Sequence, residues 1–113
     1  MPTTHSFRKL ALAFEATVEQ PHFEKTSFRV NKKIFATMDE KNGRIVVKLS
    51  AVEQSVFCAF DKTVIYPVPG SWGTQGWTMI ALQQIKTAML KDILTVSYCN
   101  VAPKRLAEKY QQP

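Results

Sequence analysis

The sequence has few cysteines and no long apolar run. Its 113 residues include only two cysteines, Cys58 and Cys99, whereas small domains that depend on disulfides usually carry more. We therefore expect two reduced thiols. Charged residues interrupt every apolar segment well before the roughly 18 residues that a membrane span needs, and the N-terminal segment lacks the pattern of a signal peptide. These absences predict a cytoplasmic protein that does not bind membranes.

Signatures of catalysis and of cofactor binding are also missing. The sequence contains no G-x-S-x-G elbow, no Walker phosphate loop, no H-E-x-x-H motif and no paired C-x-x-C motifs. Its histidines, His5 and His22, have no partner at metal-ligand spacing. We therefore expect no enzymatic activity, no cofactor and no metal. His22 follows Pro21 in a predicted turn, where it is either a surface residue or part of a site near the first hairpin.

The charge balance, by contrast, is clearly basic. Fifteen lysines and arginines stand against nine acidic residues, which gives a formal net charge of +6. A chain of this length and composition is typical of one globular domain, here residues 1–113. The excess of positive charge favours an anionic partner, although it says nothing about the fold.

Alternating apolar residues predict an antiparallel meander of three strands. The strands are expected at residues 26–30, 33–38 and 44–49. Asn31–Lys32 supplies the first turn, and residues 41–44 supply the second, in which Asn-Gly is a strong hairpin signal. A further strand is predicted at residues 77–82.

Helical periodicity predicts helices around this meander. Phe7, Leu10, Ala11 and Phe14 form one apolar stripe, with Thr4 or Ser6 available as N-cap. Ser50 and Glu53 form a capping box. The helix that follows runs to about residue 61, and its apolar face is Val52, Val56, Ala59 and Phe60. Another helix is expected at 85–100, and Pro103 opens a last short one. This order predicts an α+β fold in which helices pack on one face of an antiparallel sheet.

Basic residues are concentrated in the predicted meander. Residues 23–48 hold seven cations and three acidic residues. Alternation sets Arg29, Lys33, Phe35, Arg44 and Lys48 opposite the apolar stripes, and a basic face that includes an aromatic side chain suits nucleic acid. The candidate nucleic-acid-binding residues are Arg29, Lys32, Lys33, Arg44, Lys48, Lys104 and Arg105. The other interpretation is that these charges only keep an exposed sheet soluble and protect its edges.

The segment GSWGTQGWT at residues 70–78 holds three of the four glycines and both tryptophans. It leads into a strand and not into a helix, so it does not resemble a phosphate-binding loop. We expect the glycines to permit positive φ or close backbone approach, and at least one of Trp72 and Trp77 to be largely buried. Alternatively, the segment contributes to a ligand groove. The aromatic residues concerned are Trp72, Trp77, Tyr66 and Phe35.

Four segments together resemble the MmcQ/YjbR family of small bacterial proteins. They are PHFEKTSFRVNKKIFATM at 21–38, RIVVKLS at 44–50, YPVPGSWGTQGWT at 66–78 and NVAPKRL at 100–106. The resemblance extends from about residue 7 to residue 110. It implies an α+β fold similar to CyaY-like and secretion-chaperone-like domains. It also implies DNA binding through a double-wing arrangement of strands, without enzyme activity, metal or cofactor.

Two functional hypotheses follow. The first is a monomeric DNA-binding protein that contacts phosphates from its basic hairpins with low sequence specificity. The second is a protein-interaction or small-ligand module, as the likeness to secretion chaperones suggests, with a groove lined by the four aromatic residues. An exposed aromatic patch or a concave pocket favours the second hypothesis, and two fully buried tryptophans oppose it.

Overall fold

A computed structural model describes residues 2–111 of the chain. The elements are α1 (Thr4–Leu12), β1 (Thr17–His22), β2 (Lys25–Val30), β3 (Lys33–Asp39), β4 (Arg44–Lys48), α2 (Ala51–Cys58), β5 (Ile65–Pro67), α3 (Ser71–Thr74), β6 (Trp77–Ala81), α4 (Thr87–Val101) and α5 (Lys104–Ala107), followed by a 3₁₀ turn at Glu108–Tyr110. The strands form one antiparallel sheet in the order β1-β2-β3-β4-β6-β5. The predicted α+β class is confirmed. Among the described residues, no helix is long and apolar enough to cross a membrane.

Neither of the two edge strands of the sheet, β1 and β5, was predicted from the sequence. β1 pairs with β2 along its whole length, so Pro21 and His22 lie in a strand and not in the predicted turn, which falls at Phe23 and Glu24 instead. β1 is mostly exposed and therefore lacks the apolar alternation of a half-buried strand. Prolines at edges do not interrupt a ladder, which is why β1 tolerates Pro21 and β5 ends at Pro67. The meander thus has four strands.

A β-bulge in β3 changes which residues face the core. Phe28 pairs with Ala36 but Arg29 pairs with Ile34, so Phe35 is the extra residue. Because a bulge reverses the alternation beyond it, Ile34 turns to the solvent face and Lys33 comes to lie opposite buried Val30. The predicted outward positions of Phe35 and Lys33 are therefore wrong.

Phe35 instead belongs to the aromatic centre of the core. Its side chain is fully buried, and its ring meets that of Tyr98 edge-on, with 5.4 Å between centroids. Ser97 of α4 donates its hydroxyl to the Phe35 carbonyl at 2.6 Å and accepts from the Lys48 backbone N–H at 3.0 Å. One buried serine thus joins α4 to both β3 and β4, and it satisfies backbone groups that burial would otherwise leave unpaired.

α1 and α4 pack on the face of the sheet that carries the core residues. The predicted stripe of α1 is confirmed at Phe7 and Ala11, which are fully buried, and the Phe7 ring lies edge-on to Phe28 at 5.3 Å. The N-cap is Thr3, in a reciprocal capping box with Ser6, and not Thr4 or Ser6 as predicted. α4 buries Leu90, Ile93, Leu94 and Tyr98.

α2 faces the opposite way from its predicted orientation. Its capping box between Ser50 and Glu53 is confirmed, but Val52, Val56 and Phe60 are 73%, 53% and 65% exposed. Other residues of α2 make the inward contacts. Phe57 and Cys58 pack against the core, and Gln54 donates from Nε2 to the Gly73 carbonyl and to Thr78 Oγ1, both at 3.0 Å.

Both cysteines are free thiols. Each is half-buried, and burial raises the pKa of Cys58 and of Cys99 above the usual value for a thiol. The Cys99 thiol also donates to the Ala107 carbonyl at 3.6 Å, which ties α5 to α4. The last short helix therefore belongs to the helical layer. It begins at Lys104, so Pro103 is its N-cap and not, as predicted, its first helical residue.

Candidate nucleic-acid interface

The sheet face opposite α1 and α4 is called the outer face here. Directly opposed residues of antiparallel strands share a face, so the register identifies its members. At its centre, Thr37 opposes Val46 and Val46 opposes Met79. All three side chains are half-buried, so the outer face is apolar at its centre but not closed.

Four cations lie on the strands of the outer face. Arg29 opposes Ile34, Arg44 opposes Ala81, and Lys48 opposes Trp77. These three were predicted from alternation. The fourth, Lys25, opposes His22. Lys25 was not among the predicted residues, because the alternating pattern placed the first strand at 26–30, one residue after its observed start.

Two of these cations are held in place by neighbouring groups. Arg29 donates from Nε to the hydroxyl of Ser27 at 2.9 Å, and Ser27 in turn donates to the Gln20 carbonyl. The Lys48 ammonium donates to the Gln75 carbonyl and lies 5.3 Å from the ring centroid of Trp77, a cation–π distance. Lys25 and Arg44, by comparison, are exposed. The face therefore offers both fixed and mobile positive charge.

One carboxylate faces these cations. Asp39 opposes Arg44 across β3 and β4, and it accepts from the Asn42 side chain at 2.9 Å. That hydrogen bond, with smaller contributions from Lys25 and Arg44, lowers the pKa of Asp39, so it is ionised at neutral pH. Among the strand residues that the register assigns to this face, the balance is four cations against one anion.

The remaining predicted binding residues lie elsewhere. Lys32 is in the β2–β3 turn, where its φ of 68° fits the predicted hairpin, and Lys33 is directed toward the helical side by the bulge. Lys104 and Arg105 are exposed on α5, which packs on α4. The structure therefore does not bring the seven predicted residues onto one surface.

A groove of about 360 Å³ crosses the outer face. Trp72 and Trp77 line it together with the apolar residues Ile34, Val46, Val68 and Met79, and His22 and Lys25 complete it. His22 thus lies at the border of the groove, near the first hairpin. The prediction that at least one tryptophan is largely buried is confirmed at Trp77, most of whose surface is buried, whereas Trp72 is 60% exposed.

The other two aromatic candidates differ in position. Tyr66 opposes Met79 in the β5–β6 pair and so shares the outer face, beside the groove. Phe35 lies in the core and cannot line the groove. Of the four predicted aromatic residues, the two tryptophans line the groove, and Phe35 does not.

Glycines determine how the two tryptophans reach the groove. The expected role of the glycines in close backbone approach is confirmed at two positions, because a Cβ would lie 2.1 Å from the Val68 carbonyl oxygen at Gly73 and 1.8 Å from the Leu49 carbonyl oxygen at Gly76. The segment also contains one helical turn, α3, which was expected to be loop and which carries Trp72. The predicted strand at Trp77 is confirmed, with its end at Ala81.

The tip of the β1–β2 hairpin carries an exposed phenylalanine that was not predicted from the sequence. Phe23 is 94% exposed, has a left-handed backbone with φ of 59°, and contacts only the ring of His22 among the aromatic pairs of the described residues, at 4.9 Å. Phe23 stands in the motif PHFEK, but the turn there was not recognised. The apolar character of a residue does not by itself show whether its side chain is exposed.

Comparisons with known proteins identify the family and the fold of the chain. The family model described as YjbR matches residues 12–100. The crystal structure of Deinococcus radiodurans protein DR2400, which carries the family-model domain DUF419, is similar with a TM-score of 0.80. That alignment covers 100% of this chain and 91% of the other at 18% identity, so it shows the fold alone. No curated protein sequence matches the chain.

Proposed function

The chain belongs to the YjbR family, and on that premise we propose that it is a non-enzymatic DNA-binding protein of low sequence specificity. The outer face of the sheet contacts the phosphate backbone in this proposal. We also propose that the protein is monomeric and that it lies in the bacterial cytoplasm. In this proposal the two wings are the hairpins β1–β2 and β3–β4, whose tips lie at the same end of the sheet.

The observation that supports this proposal is the concentration of positive charge on one face. Lys25 and Arg29 come from β2, Arg44 and Lys48 come from β4, and the four cations share this face with a single carboxylate. Each cation that meets a phosphate releases condensed counterions, which is the main source of non-specific affinity. Such contacts position a protein on DNA but do not read its sequence, and this is why we propose low specificity.

The first prediction concerns the salt dependence of binding to labelled duplex DNA, measured by fluorescence anisotropy. Four phosphate contacts give a slope of log K against log salt near −3.6, so raising the salt from about 50 mM to about 200 mM weakens binding roughly 150-fold. Each of the substitutions Arg29→Gln and Arg44→Gln reduces the steepness of this slope by about 0.9, because each removes one phosphate contact.

Lys91→Gln is the matched control, because Lys91 is an exposed cation on α4, in the helical layer. It removes the same net charge without changing the outer face. No detectable binding to the wild-type protein at the lower salt would contradict the proposal. Equal losses for Arg44→Gln and Lys91→Gln would instead point to a general charge effect and argue against this face.

A second candidate function has one specific observation in its favour. The groove beside Trp72 and Trp77 is concave and largely apolar, and its volume of about 360 Å³ falls within the range of roughly 300–1,000 Å³ typical of small-ligand sites. A protein-interaction or small-ligand module would use it. Titration with the neutral apolar dye Nile red distinguishes this candidate: binding that is tight, insensitive to salt and lost in Trp72→Ala supports it, and no binding opposes it.

A further inference from the structure

The groove combines features that the phosphate contacts alone do not require. Its floor is apolar at Ile34, Val46 and Met79, and indole rings stand at one side. A protein that met only phosphates would have no need for exposed indoles next to its cations. An apolar groove bordered by positive charge is instead complementary to a planar ring that is linked to an anion, as in a nucleotide.

The two tryptophans are not equally available. Lys48 already lies over the Trp77 ring at 5.3 Å, and its ammonium also bonds the Gln75 carbonyl. Trp77 is half-buried beside this cation. Trp72, which α3 carries to the groove, is 60% exposed. The ring that is free to stack on a ligand is therefore that of Trp72.

The state of the nucleic acid decides whether a base can reach Trp72. In a duplex the faces of the bases are stacked on one another, and only their edges are accessible in the grooves. In a single strand every base presents a π-face that can stack on an aromatic side chain, whatever the sequence. Lys25 and Arg44 lie on the same face as the groove and are exposed, so they can contact the backbone of such a strand.

We propose that the groove stacks an unpaired base on Trp72, so that the protein binds single-stranded DNA more tightly than duplex DNA. This rests on the proposed function, because the cations of the outer face supply the backbone contacts. Of the two forms of DNA, only the single strand offers both phosphate charge for the cationic border and a free base face for the indole.

The test compares a labelled single strand with the duplex of the same sequence, using the full chain at low salt. We expect the single strand to bind several-fold more tightly. Trp72→Ala weakens single-strand binding roughly 5- to 100-fold, which is the range for loss of one stacked base, and leaves duplex binding unchanged. Trp72→Phe, which keeps a ring, retains most of the affinity.

Phe60→Ala is the control, because Phe60 is an aromatic residue of similar exposure, 65%, at the end of α2 and outside the groove. It leaves both affinities unchanged. If Trp72→Ala does not affect single-strand binding while Arg44→Gln weakens binding to both forms, the stacking inference is wrong and the proposed function stands. If the wild-type protein binds neither form at low salt, the proposed function fails, and the inference fails with it.

Discussion

Of the four glycines, Gly76 leaves the least space for an added side chain. Its φ is 103°, and an added Cβ would lie 1.8 Å from the Leu49 carbonyl oxygen. The Leu49 N–H also donates to the Gly76 carbonyl at 2.9 Å. The backbone after β4 and the backbone before β6 are thus in direct contact, so a side chain at Gly76 would have to push apart neighbouring strands that frame the groove.

Two glycine substitutions in one segment separate backbone strain from steric overlap. Gly70 also has a positive φ, of 82°, but nothing lies within 4 Å of a Cβ there. We expect Gly70→Ala to lower the free energy of unfolding by roughly 1–3 kcal/mol, the cost of the strained backbone alone. Gly76→Ala adds the overlap with Leu49 and should cost more than about 4 kcal/mol. Urea unfolding measures both, and equal costs would contradict the close approach.

At the scale of single elements, α2 and α4 differ in the direction of their apolar faces. The stripe of α2 at Val52, Val56 and Phe60 is exposed, whereas α4 buries Ile93 and Leu94 in the core. Spacing defines a helical face but not which neighbour it meets. In α2 the contacts of Gln54 with Gly73 and Thr78 hold the side of the helix that also carries Phe57 and Cys58 toward the core.

The orientation of α2 can be tested with two truncations. Val56→Ala removes methyl groups from a side chain that is 53% exposed, so the free energy of unfolding should change by no more than about 0.5 kcal/mol. Ile93→Ala in α4 leaves a cavity in the core and should cost about 2–5 kcal/mol. Thermal or urea denaturation gives both values. A cost for Val56→Ala close to that of Ile93→Ala would place the α2 stripe in the core instead.

At the scale of the whole molecule, the sheet separates the basic residues into two groups. Arg29, Arg44 and Lys48 lie on the outer face, whereas Lys104 and Arg105 lie on α5 in the helical layer. The net charge of +6 is therefore not presented to one partner. A ligand that follows the outer face does not meet the C-terminal pair.

This separation gives a prediction for charge-matched double variants. Removing Arg29 and Arg44 together, as R29Q/R44Q, should weaken DNA binding strongly and make its salt dependence less steep by about 1.8, because two phosphate contacts are lost. K104Q/R105Q removes the same charge and should leave the slope unchanged. Anisotropy titrations over a series of salt concentrations measure both slopes. A reduced slope for K104Q/R105Q would mean that DNA also contacts the helical layer.

Local pattern by itself determined much of this protein. The periodicity of residues 7–11 and the alternation of residues 44–49 predicted their buried faces, since burial of one face follows directly from backbone geometry. The capping box at Ser50 and the turn at Asn31–Lys32 were also readable, because short-range hydrogen bonds and positive φ select particular residues. The family resemblance that four segments carry was also confirmed.

Tertiary structure alone decided what forms the candidate site. The bulge that buries Phe35 and frees Ile34 for the groove depends on pairing with β2, which no local pattern encodes. The exposure of Trp72 depends on the close contacts at Gly73 and Gly76 with Val68 and Leu49. β1 became visible only as a partner of β2, since an exposed edge strand has no apolar face of its own. Sequence thus defines the faces of single elements, but contacts between elements determine which faces meet and which remain open.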